Sequence, residues 1–183
     1  RLIAALRQRL DLPALTAVER RVSAADGFAK HLFAAPDGAA FETVLIPLTH
    51  RPGAEKAVVC VSSQAGCAMG CAFCATGRLG LTRDLHAWEI IDQVAQLRRS
   101  SPLPVRGVVF MGMGEPLLNY DAVVQAAAVL SEPSGLAIAA KAVTLSTVGV
   151  TPGIRRLAAE RRPFKLIVSL TSADPHKRRA LLP

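Results

Sequence analysis

The chain has 183 residues, a length that suits one domain or one domain with an appendage. It is 51% hydrophobic and 20% charged, which supports a real core and excludes a disordered tail. Its 22 Lys and Arg outnumber 14 Asp and Glu for a net charge of +8, favouring an acidic partner such as nucleic acid, and its four cysteines, all between residues 60 and 74, argue against a disulfide framework.

Residues 1–10 (RLIAALRQRL) read as a basic amphipathic helix already under way, and 1–26 as an N-terminal helical segment with Pro13 as a break. The chain starts at Arg1 and stops at Pro183 just after the basic residues Lys177, Arg178 and Arg179, so we expect a piece excised from a longer protein. Residues 28–34 and 40–48 are apolar stretches around the turn signal Pro36-Asp37-Gly38, which predicts a β-hairpin within a 27–56 extension that ends in the polar loop 49–56. Residues 57–62 (AVVCVS) read as a buried strand, followed by a loop with three cysteines and four glycines. Helix is predicted over 87–99, where Trp88, Ile91, Val94 and Leu97 recur at helical spacing, with His86 three residues before Glu89 where Ser or Thr would complete a capping box. Strand is predicted over 105–111, helix over 121–131 with Asn119 as a cap, and strand over 142–147. Thr151-Pro152 opens the next helix as cap and first helical residue, and 164–170 is the last strand. The β-α-β alternation over 57–183 implies a parallel sheet, open or part of a barrel. No apolar run approaches the roughly 20 residues that span a bilayer.

Cys67-x3-Cys71-x2-Cys74 places three thiolates on one glycine-rich loop. Three such ligands can wrap one face of a [4Fe–4S] cube and leave the fourth iron open for a small molecule, whereas clusters that only carry electrons usually take a fourth cysteine. The rivals are a structural zinc, which is closed by four ligands, or buried free thiols. Cys60 lies within a predicted strand, a poor position for a fourth ligand, so spacing favours the three-cysteine cluster.

The same cysteines, with Phe73 before the last of them, resemble the signature of the radical S-adenosylmethionine (SAM) superfamily. The run 60–94 (CVSSQAGCAMGCAFCATGRLGLTRDLHAWEIIDQV) resembles more specifically the RlmN/Cfr family of RNA adenine methylases. FMGMGEPLLNY (110–120), VTLSTVGVTPGI (143–154) and LIVSLTSADPHKRRALLP (166–183) continue that match in order, and it covers residues 41–183. The resemblance implies an α/β fold, a partial (β/α) barrel of the radical-SAM type with an N-terminal helix and β-hairpin. It implies a [4Fe–4S] cluster on Cys67, Cys71 and Cys74, and SAM held by Gly114 and Glu115 at its amino end and by Ser146, Ser169, Leu170 and Thr171 elsewhere. It further implies Cys60 as the cysteine that resolves a protein–RNA adduct and Glu42, in the run FETVLIP, as proton acceptor.

The activity so implied is methylation of an adenine ring carbon, C2 in preference to C8, in rRNA and also tRNA. An electron donor such as flavodoxin or ferredoxin, a cytoplasmic location and a monomer belong to the same expectation. In that route a first SAM methylates a cysteine, a second SAM yields a radical that activates the methyl, and a second cysteine releases the product. The family commonly has His or Asn where this chain has Thr171, which bears on a side-chain role there. Three cysteines go to the cluster and the fourth is Cys60, so none of the four remains to carry the methyl group. We therefore expect that cysteine in a removed C-terminal segment. Two other readings remain: a divergent radical-SAM enzyme without RNA methylation, and a non-catalytic module that binds zinc and nucleic acid.

Each candidate also has a plain structural reading. Gly112-Met113-Gly114-Glu115-Pro116 lacks the third glycine of a dinucleotide fingerprint and can be a tight turn with an exposed Glu. A Ser at a strand end is usually turn chemistry, Cys60 can be a small core residue, and Glu42 can be an exposed strand residue. His31, His50, His86 and His176 show no metal spacing, and Trp88 and Phe110 read as core. The pairs Arg98–Arg99, Arg155–Arg156 and Arg161–Arg162, with the basic run near the end, read as solvated helix faces or as a phosphate-binding surface.

Overall fold

The computed structural model describes residues 13–182. Its framework is a seven-stranded sheet in the order β1-β2-β3-β4-β7-β8-β9. The strands are β1 (Thr16–Val22), β2 (Ala29–Ala34), β3 (Ala40–Leu48), β4 (Lys56–Cys60), β7 (Val105–Phe110), β8 (Val143–Thr147) and β9 (Lys165–Val168). β1 to β4 form an antiparallel meander, and β4, β7, β8 and β9 run parallel. A two-stranded sheet of β5 (Gln64–Gly66) and β6 (Leu81–Asp84) lies in the cysteine segment, enclosing α1 (Ala75–Leu79). The connections after β6 carry α2 (Ala87–Ser100), α3 (Tyr120–Ser131), α4 (Thr151–Ala159) and α5 (Pro175–Leu181). This is the parallel α/β layer that the alternation of apolar runs predicts, consistent with the partial barrel that the family resemblance implies, with connections long enough to let successive strands run parallel.

The core lies between one face of this sheet and the helices α2 and α3. Cross-strand partners share a face, and this one carries Phe33 with Phe41, Leu45 with Val59, Val59 with Val108, and Phe110 with Leu145. All of these side chains are buried, as are Ile90, Val94 and Leu97 of α2 and Val123, Ala127 and Leu130 of α3. On the opposite face lie Glu42, Val44, Val58, Cys60, Val109, Thr144 and Ser146, less completely covered than the core.

Three expectations require correction. The predicted helical segment 1–26 contains a strand, β1, over Thr16–Val22, while residues 1–12 fall outside the described residues. β1 is exposed on both faces and is held by its ladder with β2, so the predicted hairpin is the middle pair of a four-stranded meander. Its Arg and Ala content reads as helical because no buried side chain marks a strand period. Asn119 does occupy the N-cap of α3, but its side-chain amide donates instead to the carbonyls of Ser63 (2.8 Å) and Leu85 (2.7 Å). For α4 the N-cap is Val150 and Thr151 is already helical; Thr147 Oγ1 accepts from the N–H groups of Gly149 (3.0 Å) and Val150 (3.2 Å).

Candidate active site

The C-terminal ends of β7, β8 and β9 and the cysteine loop enclose a cavity of about 370 Å3. In a parallel α/β layer this end collects the loops, and their free backbone groups make it the usual place for a site. Cys67, Cys71 and Cys74 line one side of it, and Gly114, Glu115, Ser146, Ser169 and Thr171 also line it. Eight of the residues singled out from sequence thus meet in one place.

The cysteine loop is fixed by close backbone contacts. Cys67 donates its N–H to the carbonyl of Gly80 at 2.9 Å, and the N–H of Cys74 bonds to the carbonyl of Cys71 at 3.0 Å. Gly77 packs on this turn so closely that a Cβ there would sit 2.9 Å from Cys71 N. Ala72 donates to the carbonyl of Leu181 at 3.0 Å, which ties the loop to α5. Cys67 and Cys71 are buried and Cys74 is half-buried.

The facing wall begins where β7 ends. Gly114 has a φ of 99°, and a Cβ on it would lie 2.6 Å from the Cβ of Gln64. Only glycine fits both the conformation and the space. The next residue, Glu115, is 3% exposed. Its Oε1 accepts from Leu117 N at 3.0 Å and its Oε2 from Val148 N at 2.9 Å. Its own N–H donates to Gln64 Oε1 at 2.9 Å. Each carboxylate oxygen keeps a lone pair beyond its backbone donor. The hydroxyls of Ser146, on β8, and Ser169, just past the end of β9, lie 3.4 Å apart.

Burial first, and then repulsion from the neighbouring thiolates and Glu115, pushes the thiols of Cys67 and Cys71 above the ordinary thiol range. Raised in this way, the thiols are neutral on their own, and positive charge in the cavity, as iron or an ammonium group supplies, would favour their thiolates beside Glu115. The donor set therefore fits an iron–sulfur cluster beside a cationic ligand. Among the described residues no three His, Cys, Asp or Glu side chains converge closely enough to hold a single metal ion. A cube spreads its thiolates over separate corners and does not require such convergence.

Glu42, Cys60 and Leu170 do not line the cavity. Cys60 is buried at the end of β4, and burial pushes its thiol up, partly offset by a hydrogen bond from the backbone of Met111. Met111 does line the cavity, so Cys60 stands one residue behind it. Val44 pairs with Cys60, which puts Glu42 two residues farther along the same face, but its carboxylate is engaged with Lys30 at 2.8 Å. Leu170 is 60% exposed. Residues that sequence reading missed are Gln64, whose amide bridges Glu115 N and Asp84 (2.7 Å), and Arg178, which binds three loop carbonyls. No spacing in the sequence marks either.

Residues 61–181 match the Radical SAM superfamily. A "Probable RNA methyltransferase" from Myxococcus xanthus (strain DK1622) is 52% identical over 178 residues, covering 97% of this chain and 48% of that protein. A "Dual-specificity RNA methyltransferase RlmN" from Syntrophobacter fumaroxidans is 45% identical over 180 residues, covering 97% of this chain and 51% of that protein. The crystal structure of a radical SAM methyltransferase from Sphaerobacter thermophilus superposes with a TM-score of 0.87 at 42% identity, over 100% of this chain and 53% of that one. The chain spans about half the length of the curated relatives it matches.

Proposed function

The chain belongs to the Radical SAM superfamily, and from that premise we propose that it is the cofactor-binding portion of an RNA methyltransferase that methylates C2 of adenine in rRNA and tRNA. The observation that carries this reading is the meeting of Cys67, Cys71, Cys74, Glu115, Ser146 and Ser169 around one cavity. The three thiolates would hold the [4Fe–4S] cluster. When bound, that cluster supplies the electron that cleaves a carbon–sulfur bond of SAM.

The chain's own residues position the substrate sulfonium. Glu115 is fixed by two backbone donors, so its free lone pairs can accept from an ammonium without reorganising. Gly114 lets the backbone approach closely, and Ser146, Ser169 and Thr171 contact the rest of SAM, while Leu170, outside the cavity, contributes its carbonyl to the wall's own hydrogen bonds. Cys60 and Glu42 share a sheet face, with Cys60 next to the cavity-lining Met111, which suits them to the later thiol and proton-transfer steps. Glu42 then has to leave Lys30 to accept a proton. All four cysteines are assigned, so the methyl-carrying thiol is not among these 183 residues. A flavodoxin or ferredoxin is the electron donor in this reading.

Metal analysis after anaerobic purification tests it. We expect about four iron and four sulfide per chain, with absorption that disappears in Cys71→Ala. SAM added to the reduced protein should change the cluster's paramagnetic resonance. Stoichiometric zinc without iron, or an unchanged spectrum in Cys71→Ala, overturns the reading.

A further inference from the structure

Arg178 sits in a basic run that reads from sequence as solvated, yet it is half-buried while its neighbours Lys177 and Arg179 are exposed. No ion pair of Arg178 is found among the described residues. Its guanidinium is instead spent on backbone. Nη1 donates to the carbonyl of Ser169 at 2.9 Å and to that of Leu170, and Nη2 donates to the carbonyl of Val148. Two separate loops, one after β8 and one after β9, are thereby bound by a single planar group. Val148 is the residue whose N–H holds Glu115 Oε2 at 2.9 Å. Ser169 and Thr171 belong to the cavity wall.

The same helix continues to the cysteine loop. Asp174 caps it by accepting from the N–H groups of His176 (2.8 Å) and Lys177 (3.2 Å), and one turn after Arg178 the carbonyl of Leu181 accepts from Ala72, between Cys71 and Phe73. α5 thus touches all three parts of the cavity: the cysteine loop directly, the Glu115 wall through Val148, and the serine wall through Ser169 and Leu170.

We propose that Arg178 is a positioning residue, a clamp that holds the loops after β8 and β9 in the one arrangement that presents Glu115, Ser169 and Thr171 to the cofactor. The proposal that the clamp serves SAM rests on the function proposed above; the clamp itself does not. A guanidinium has five donors in a fixed plane and stays charged, so it can hold three carbonyls of two loops at once. Lysine carries its three donors on one nitrogen and lacks the two separate nitrogens with which Arg178 reaches the two loops.

The test compares Arg178→Lys, Arg178→Gln and Arg178→Ala with Arg179→Gln, an equal charge change on the exposed neighbour, in the full cluster-loaded protein. Amide exchange over residues 146–150 and 168–172 is read without SAM. We expect exchange in both segments to accelerate by about tenfold or more in the Lys and Gln variants, since each lost hydrogen bond removes local stability. Iron content should not change. The dissociation constant for SAM, read by calorimetry, should rise by about tenfold in these variants, and guanidinium ion should restore affinity to Arg178→Ala. Arg179→Gln should change neither readout. Unchanged exchange in Arg178→Gln, or an equal effect from Arg179→Gln, overturns the clamp. Loss of both segments' protection with unchanged SAM affinity overturns its link to the cofactor. A wild-type protein that binds iron but no SAM sinks the proposed function, while the exchange data still decide the clamp.

Discussion

Thr171 has a φ of 62°, in the left-handed region that a β-branched side chain enters at a cost. Ser172 N donates to the carbonyl of Leu170 at 2.6 Å, closing a three-residue turn with Thr171 at its centre. A γ-turn with positive φ is rare and strained. Arg178 binds the same Leu170 carbonyl, so the turn is held from outside. The strain is stored at a residue that lines the cavity, where such costs tend to collect. Asparagine tolerates this backbone better than threonine, and the family resemblance puts His or Asn here. Thr171→Asn is expected to raise stability by about 1 kcal/mol, measured by urea unfolding. Thr171→Val keeps the β-branch and should leave stability near the wild-type value. A gain in Val equal to that in Asn would show that the hydroxyl, and not the backbone, is the source of the cost.

Arg83 on β6 joins the β2–β3 turn to the start of α2. It donates to Asp37 in the β2–β3 turn at 2.6 and 3.0 Å and to Glu89 in the first turn of α2 at 2.7 and 2.8 Å. Glu89 is fully buried and also accepts from the backbone of His86 at 2.7 Å, so its side chain closes the start of α2 from within. Arg83→Met leaves that buried carboxylate without its cation and should cost about 3–5 kcal/mol in urea unfolding. Hydrogen bonds from Arg83 hold the Asp37 carboxyl down to about 2. Because its folded value is depressed, the stability it contributes is complete above the ordinary carboxylate value near about pH 4 and is lost as pH falls toward about 2. Asp37→Asn should flatten that part of the stability–pH curve; a curve identical to wild type would show that the pair contributes nothing. Neither Arg83–Asp37 nor Arg83–Glu89 is visible in the sequence, because nothing local pairs residues 46 and 6 positions apart across a sheet edge. What is visible there has a local cause. Pro36-Asp37-Gly38 marks the turn between β2 and β3, and the apolar runs of β4, β7, β8 and β9 mark buried strands. β1 lacks any such mark, and β5, β6 and α1 are too short to show a period. The site divides the same way. Its cysteines, Gly114 and Glu115 stand in tight motifs, whereas Gln64 and Arg178 act through contacts with loops far along the chain.

The two edges of the large sheet differ in how they are guarded. Among the described residues β1 and β9 are its outermost strands, each paired on one side. An unpaired strand edge is a template for another chain, and charges, bulges and twist are what blunt it. β1 has all three charges Glu19, Arg20 and Arg21 exposed and carries a register break between Ala17 and Glu19. β9 has Lys165 at its start and then Ile167 and Val168, 45% and 48% exposed, with Leu170 60% exposed beyond them. Among the described residues, the sheet thus presents an apolar edge at β9 and a charged one at β1. The chain should self-associate with rising concentration, seen as an increasing sedimentation coefficient. Val168→Lys places a charge on the β9 edge at an exposed position, so it should suppress association while leaving the far-ultraviolet circular dichroism unchanged. A substitution such as Val18→Lys, on the guarded edge, should have little effect. Equal association in wild type and Val168→Lys would remove β9 as the sticking surface and point to the half-covered face that carries Val44, Val58 and Val109.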